Sequence, residues 1–472
     1  MVIFILVLKG RNTLIERKFV SCLFYTAVVF SHVPLIFAAD NEPFTLNKAM
    51  NPPDWFSISG QHRTRFENLD NQYRAGLNGG DQALLFRTLL FAQMNFSPLS
   101  FGFEMEDSRG ELSDSGSPLS TSEINPLELL QAYMDIRLDN VFQEGSTSHL
   151  RGGRITMDLG SRRLLARNSY RNTINAFTGA DWEMTTAAGN NLRAYYVIPV
   201  QRMVSGNILD NDAKFDEEHT NVKFWGLYFA PAGMPWGDNG EVFLLGLNED
   251  DSVDFATRDR DLYTPGFRIY RKPAVRKFDY QIESVFQFGE SRTNTDPANV
   301  TDLDHFAHFQ HGEIGYSFDA NWSPRLVLQF DYASGDDDAT DGDNNRFDTL
   351  FGARRFDFGP TSIYGPFARA NLVSPGARII FKPSPSTSGF IALRGYWLAS
   401  EDDAWTTAGI SNAPGESENY IGTQIEGSLR WEVVPGNIRL EAGGAYLFAG
   451  DLMDNAGKDD VNYLFSQIEF FF

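Results

Sequence analysis

Six arginines fall within 21 residues of the stretch RGGRITMDLGSRRLLARNSYRN, namely Arg151, Arg154, Arg162, Arg163, Arg167 and Arg171, and Asp158 is the one local acid. A guanidinium group is planar, permanently charged and grips a carboxylate through two parallel N–H···O bonds. Such a cluster therefore suits carboxylate-bearing solutes and repels cations. The whole chain has the opposite sign, with 62 Asp+Glu against 40 Lys+Arg and a net charge of -22. That balance argues against nucleic acid as a partner.

Other candidate chemistry is weaker. HFAHFQH places His305, His308 and His311 three apart, which on a helix would share a face and suggest a metal. On a strand starting at residue 307, His308 points away from the other two, and the stretch reads as a loop-to-strand junction without a three-His site. The acidic run GDDDATDGDNN offers Asp336, Asp338, Asp341 and Asp343 as oxygen ligands for Ca²⁺, yet it lacks EF-hand spacing and the closing Glu, and a solvated loop is the competing reading. No G-x-S-x-G elbow, P-loop, H-E-x-x-H or dinucleotide fingerprint occurs. Neither a cofactor nor an enzymatic activity is expected, although Ser, His and Asn on separate strands could in principle assemble a hydrolase.

The elements that must carry the arginines are strands. Aromatics make up 14% of the chain, with 40 Phe and 41 Gly, while the mean hydropathy of -0.30 is polar. Packed helical domains do not have this composition, and strands with one apolar and one polar face do. Period-2 alternation recurs about every 24 residues. In WFSISGQHRTRFE, Phe56, Ile58 and Phe66 share one face, and Gln61, Arg63, Arg65 and Glu67 share the other. Strands are expected near 55–67, 84–96, 99–106, 127–138, 151–160, 178–188, 191–199, 221–230, 241–248, 264–271, 277–288, 307–318, 325–333, 376–382, 389–398, 419–433, 437–448 and 461–472. The links between them alternate, short at Ser97-Pro98 or Gly189-Asn190 and long at 107–126, 200–220 or 334–375. This parity is expected of a single-domain transmembrane antiparallel β-barrel of about 18 strands, with long links outside and short turns in the periplasm. The last strand, YLFSQIEFFF, puts Leu464, Ile468, Phe470 and Phe472 on one face and resembles the C-terminal strand by which outer-membrane proteins are recognised for insertion.

Residues 19–39 form one long apolar stretch preceded by Arg11, Arg17 and Lys18 and followed by acidic sequence, the layout of a signal peptide cleaved near Ala38 or Ala39. The expected division is a signal peptide over 1–39 and a barrel over 40–472; a membrane anchor is the alternative for the first segment. Removing 1–39 takes the net charge from -22 to -25 and removes Cys22, the single cysteine, which leaves no thiol for catalysis, zinc binding or a disulfide.

Charge facing the lipid midplane costs roughly 2–4 kcal/mol per residue, so arginines on the polar strand faces must project into the lumen. Arg63, Arg65, Arg87, Arg137, Arg154, Arg193, Arg394 and Arg430 are expected there, together with Arg162, Arg163, Arg167 and Arg171 on an inward-folding link over 161–177. Glu104, Asp135, Asp158, Glu283, Asp331 and Glu441 share that lumen, and one reading is that the arginines merely neutralise these acids and stiffen the wall. The other reading is a constriction that selects anions.

Gly160-Ser161-Arg162-Arg163, leading through Arg167 and Arg171 to Phe177-Thr178-Gly179-Ala180, resembles the Gly-Arg-Gln and Phe-Asp-Gly-Ala of the alginate export family of outer-membrane barrels. The likeness recurs in DYASGDDD at 331–338, RFDTLFG at 346–352, Tyr364-Gly365, Asn371-Leu372 and Lys382-Pro383. Ser161 stands where the motif usually starts its Arg, Arg162 or Arg163 where Gln is usual, and Thr178 where Asp is usual. The resemblance implies an 18-stranded barrel exporting an acidic polysaccharide through an arginine filter, with Arg63 or Arg65, Arg87, Arg137, Arg154 and Arg163 at the filter positions. Outer-membrane lipid and periplasmic export components are the implied partners. A diffusive porin for small anions or nutrients, and a surface-attached carbohydrate-binding β-protein, are the competing readings.

Overall fold

The computed structural model describes residues 42–472 apart from Ser115 and Val253, so the expected signal segment and Cys22 lie outside the described residues. Strand-forming alternation is plainest in RLVLQFDYA, Arg325–Ala333, where Val327, Gln329, Asp331 and Ala333 are buried while Leu326, Leu328 and Phe330 are exposed. The outward side is the oily one. Leu227, Ile282, Ile314, Leu328, Ile391 and Leu393 are all at least half exposed, whereas Arg63, Arg65 and Arg87 are fully buried. This inversion is what a lipid solvent outside and a polar lumen inside demand.

Eighteen strands carry the wall: β1 Phe56–Asp70, β2 Asp81–Phe96, β3 Leu99–Glu111, β4 Asn125–Asp139, β5 Thr147–Ile155, β6 Phe177–Thr185, β7 Asn191–Gln201, β8 Val222–Ala230, β9 Asn239–Glu249, β10 Asp261–Arg271, β11 Phe278–Ser291, β12 Leu303–Ser317, β13 Arg325–Ala333, β14 Leu372–Ser384, β15 Thr387–Trp397, β16 Tyr420–Val434, β17 Ile438–Ala449 and β18 Val461–Phe471. Each pairs antiparallel with the next. β1 pairs with β18, Arg63 opposite Glu469 and Leu69 opposite Tyr463, so the sheet closes and no edge is left in the membrane. Two-residue strands, Glu217–Glu218 and Asp343–Asn344, add to β7 and β12 inside loops. No described helix is long and apolar enough to cross a membrane, which says nothing of strands.

All eighteen expected strands are present, several of them a few residues longer or shorter than expected, and two of the differences bear on the site. The fifth runs over Thr147–Ile155 rather than 151–160, because the chain leaves the wall after Ile155 and the Thr156 amide turns to Gln131 Oε1 at 2.9 Å. Asp158 is thus on a loop, where it accepts from the Arg167 amide at 2.9 Å. β12 begins at Leu303, so His305, His308 and His311 all lie within one strand and there is no loop junction; His305 and His311 point inward and His308 stacks outside on Tyr332, ring centroids 5.0 Å apart.

Two of the links opposite the short turns run into the lumen: 156–176 after β5 and 334–371 after β13. Each is seated on the inner wall by apolar side chains. Leu164, Leu165 and Phe347 pack with Phe177, Phe224 and Phe309, while Tyr364 and Phe367 pack with Tyr73, Tyr396, Trp405 and Tyr463. The Trp405 indole also donates to Pro366 O at 2.6 Å. Burying a large apolar side chain contributes roughly 1.5–3 kcal/mol, so these seats help to hold the loops in.

The two inner loops meet each other. Leu165 and Phe351 form a parallel bridge; Phe351 N donates to Leu164 O at 2.9 Å and Ala353 N to Arg162 O at 2.9 Å. Their approach depends on Gly352, where an added Cβ would sit 1.7 Å from Arg163 O. Gly352→Ala is expected to part the loops and remove about two backbone hydrogen bonds, costing about 2 kcal/mol. A lower temperature for loss of the folded, fast-migrating barrel on gels, with noisier single-channel current, would show it; unchanged behaviour in both would refute the joint.

Candidate functional site

The site is built where loop 156–176 crosses in front of β1 and β2. Arg63 Nη1 donates to Ser169 O at 3.0 Å, its Nη2 to Arg171 O at 3.2 Å and Asn172 Oδ1 at 3.0 Å, Arg65 to Tyr170 O at 2.7 Å, and Arg87 to Ser169 O and Arg171 O at 3.0 and 3.2 Å. Guanidinium groups from the wall thus bind three consecutive loop carbonyls. Arg65 also faces Glu67, its Nε 2.7 Å from the carboxylate, and with Arg355 it flanks the Tyr170 ring at 4.4 and 4.8 Å. A hydrogen bond with a charged partner contributes about 1.5–3 kcal/mol, so the loop is pinned rather than draped.

On the far side the same loop is held by Arg163. Its side chain meets Asp357 at 2.9 Å, Glu283 of β11 at 2.7 Å and His311 Nε2 of β12 at 3.0 Å. Arg163 can only donate, so His311 Nε2 accepts from it, which leaves Nδ1–H to donate to Asp331 at 2.7 Å. Asp331 also pairs with Arg394 at 2.5 Å, and Asp357 with Arg369. Burial works against the Arg163 charge, but Asp357 and Glu283 more than reverse it and hold its pKa above the ordinary value.

Most of the expected filter arginines are therefore occupied by carboxylates. Arg154 meets Glu128 at 2.7 Å and Glu218 at 2.8 Å, Arg167 meets Glu104 at 2.6 Å, and Arg193 meets Asp181 at 2.7 Å. Arg430 meets Glu441 at 2.8 Å, and Arg137 meets Asp139 at 3.0 Å near the short-turn end of β4. The structure brings Arg63, Arg65 and Arg87 of the wall against the loop that carries Arg163 and Arg171, and leaves Arg137 and Arg430 apart on the wall. Among the described residues Arg162 and Arg171 make no ion pair; Arg162 is exposed beside the Phe356 ring at 5.5 Å, held there with φ +67°.

Three further guanidinium groups, not anticipated from the sequence, share that freedom among the described residues: Arg74, Arg202 and Arg354. Together with Arg171 they line a cavity of about 420 Å³ between the inner loops and the links after β1, β3 and β7. Arg74 donates to Ile363 O at 2.9 Å, Arg202 to Asn175 Oδ1 at 3.1 Å, and Arg354 to Phe367 O at 3.3 Å. Asn175 Oδ1 accepts from Arg171 as well. Burial, then the neighbouring Arg202 charge, pushes the Arg171 pKa down to about 9. Glu123 is the one carboxylate in the lining. The twin arginines of Gly352-Ala353-Arg354-Arg355 were the available signal, a basic pair shortly after the acidic run.

That run shows no comparable convergence. Asp336 accepts from the Asn345 amide at 3.2 Å, Asp338 from the Thr340 amide at 3.0 Å and Asp341 from the Asp343 amide at 2.8 Å, while Asp343 pairs with Asp304 in the short parallel strand. Among the described residues no three His, Cys, Asp or Glu side chains are grouped to hold a metal.

A closed 18-stranded barrel with an oily outer face, a charged lumen and in-folded loops defines an outer-membrane channel of the porin class. The chain belongs to the alginate export family, whose sequence profile matches residues 54–467. Among solved structures it is similar to a BenF-like porin from Pseudomonas fluorescens Pf-5, at TM-score 0.58 and 11% identity over 89% of this chain and 99% of that one. OpdQ of Pseudomonas aeruginosa gives TM-score 0.54 at 13% identity over 88% and 97%, and OccAB3 of Acinetobacter baumannii 0.56 at 10% over 88% and 99%. At these identities the likeness is one of fold. No curated protein matches the sequence.

Proposed function

We propose that this barrel is a passive, anion-selecting channel that passes an acidic polysaccharide such as alginate across the outer membrane, fed by periplasmic components and performing no chemistry. The observation that carries the reading is the set of loop guanidinium groups, Arg74, Arg162, Arg171, Arg202 and Arg354, without carboxylate partners among the described residues, in a chain of net charge -22. Elsewhere in the lumen most arginines meet carboxylates or, as with Arg63 and Arg87, loop carbonyls; here a passing uronate carboxylate would meet guanidinium groups that pair with no described carboxylate. Several moderate contacts in series favour entry without trapping. Membership of the family supports the polymer as cargo.

A second reading, a porin for small anions, is favoured by the joint between the inner loops at Leu165 and Phe351, which leaves less room for a polymer. Current through the purified barrel in a planar bilayer, with oligouronate added to one side, separates the two. Block that deepens with chain length from dimer to octamer is expected for a polymer path. Block that is already complete with monouronate and does not deepen would assign the small-anion role instead.

A further inference from the structure

We infer that the short-turn rim between β10 and β14 is a docking surface for the headgroup of an anionic phospholipid in the periplasmic leaflet of the membrane. The inference goes beyond the channel reading and does not depend on the cargo. In a chain of net charge -22, Lys272, Arg276 and Lys277 are the only Lys or Arg in any of the short turns, and all stand in the one turn KPAVRK between β10 and β11. Arg271 closes β10 just before them, and Lys382 lies near the end of β14. The turns are knitted into one ledge. Val275 forms a parallel bridge with Ser317 of β12, Arg276 N donates to Ser317 O at 2.8 Å, and Lys382 N donates to Trp322 O at 2.6 Å. Turn 272–277 therefore lies along the rim, over the neighbouring hairpin.

Part of the charge on the ledge is matched within the protein. Arg271 meets Asp238 at 2.7 Å and Arg276 meets Asp319 at 2.5 Å, while the nearby Asp279 is buried against Arg325. Lys272, Lys277 and Lys382 are exposed and make no ion pair among the described residues, so the ledge keeps three uncompensated cations. Apolar side chains beside them place it at the lipid boundary. Val275 is 60% exposed, Phe278 63% and Trp322 62%. Phe278 adjoins Tyr316 and Trp322 adjoins Phe381, with ring centroids 4.9 and 6.3 Å apart, and aromatic girdles of this kind sit at headgroup level. Trp322 is held at φ +73°, a left-handed backbone that a bulky residue adopts only under constraint, and the Lys382 amide supplies that constraint. Ammonium groups next to exposed rings on the oily side of the wall fit a lipid, whose phosphate meets the lysines while its acyl region lies against Phe278 and Trp322. A polymer in the lumen would touch neither ring.

Native mass spectrometry of the full barrel, released from micelles that contain phosphatidylglycerol and phosphatidylcholine in equal amounts, tests the ledge. Each unpaired basic side chain near an anionic surface favours binding about fivefold, so phosphatidylglycerol adducts are expected to exceed phosphatidylcholine adducts by about tenfold or more. Lys272→Gln, Lys277→Gln and Lys382→Gln combined should bring that ratio close to one, and Lys272→Arg, Lys277→Arg and Lys382→Arg combined should keep it. Lys214→Gln with Lys223→Gln, at the long-link end, should leave it unchanged. Gel migration of the folded barrel confirms that each variant is intact. Glycerol 3-phosphate or tetrauronate, added at the concentration of the lipid, should not displace it. Displacement by either would show that the ledge reads a soluble anion and would overturn the lipid assignment. Equal retention of the two lipids by the parent, or parental preference in the triple Gln variant, would overturn it as well.

Discussion

Arg163→Gln is expected to destabilise the folded barrel by about 3–5 kcal/mol and to raise its conductance, because it breaks a buried ion network at its centre. The guanidinium bridges Glu283 on the wall and Asp357 on the opposite inner loop, and all three side chains are 3% exposed or less. Without it two carboxylates stay buried with less cation to compensate them, and the wall loses its tie to loop 156–176. Glutamine carries two N–H donors on one nitrogen and no charge, so it cannot span the two acids as the guanidinium does. Urea unfolding in micelles reads the first effect and single-channel recording the second. Lys at 163 should recover part of the stability and little of the geometry. A variant as stable as the parent would show that the network is not what holds the loop.

The double change Arg63→Ala and Arg87→Ala is expected to release the other end of the same loop. Five hydrogen bonds from these two groups reach Ser169 O, Arg171 O and Asn172 Oδ1, and no described carboxylate pairs with either. Each bond contributes about 1.5–3 kcal/mol, partly recovered by water reaching the freed carbonyls, so a loss of several kcal/mol is expected. The functional sign separates two roles. If these arginines act as anchors, removing them frees Arg171 to move, and conductance rises several-fold with more open-channel noise. If they are filter residues in contact with solute, conductance stays near its parental value and only anion preference falls. The anchor outcome is expected, since both side chains are fully buried behind the loop.

The wall was legible because strands in lipid must alternate. Arg325–Ala333 alternates without a break, and the long and short links sort themselves between two sides as in any single-chain barrel. The end of the fifth strand was not legible, and the reason is physical. Beyond Ile155 the alternation continues through Met157 and Leu159, which lie on the inner loop itself and are buried by packing against the inside of the wall rather than by strand pairing. The inward direction of Arg63, Arg65 and Arg87 followed from period two. Their partners, main-chain carbonyls about a hundred residues away, leave no trace in side-chain pattern. Arg74, Arg202 and Arg354 sit on loops with no period at all, and only the three-dimensional meeting of five links shows that they face one cavity.

The most direct measurement is the reversal potential of the purified barrel in a planar bilayer under a tenfold KCl gradient. On the proposed reading, in which the loop arginines without carboxylate partners line the passage, it lies on the chloride side, and neutralising Arg171 and Arg354 together moves it toward zero. A potential on the potassium side in the parent protein would contradict anion selection and leave only the barrel.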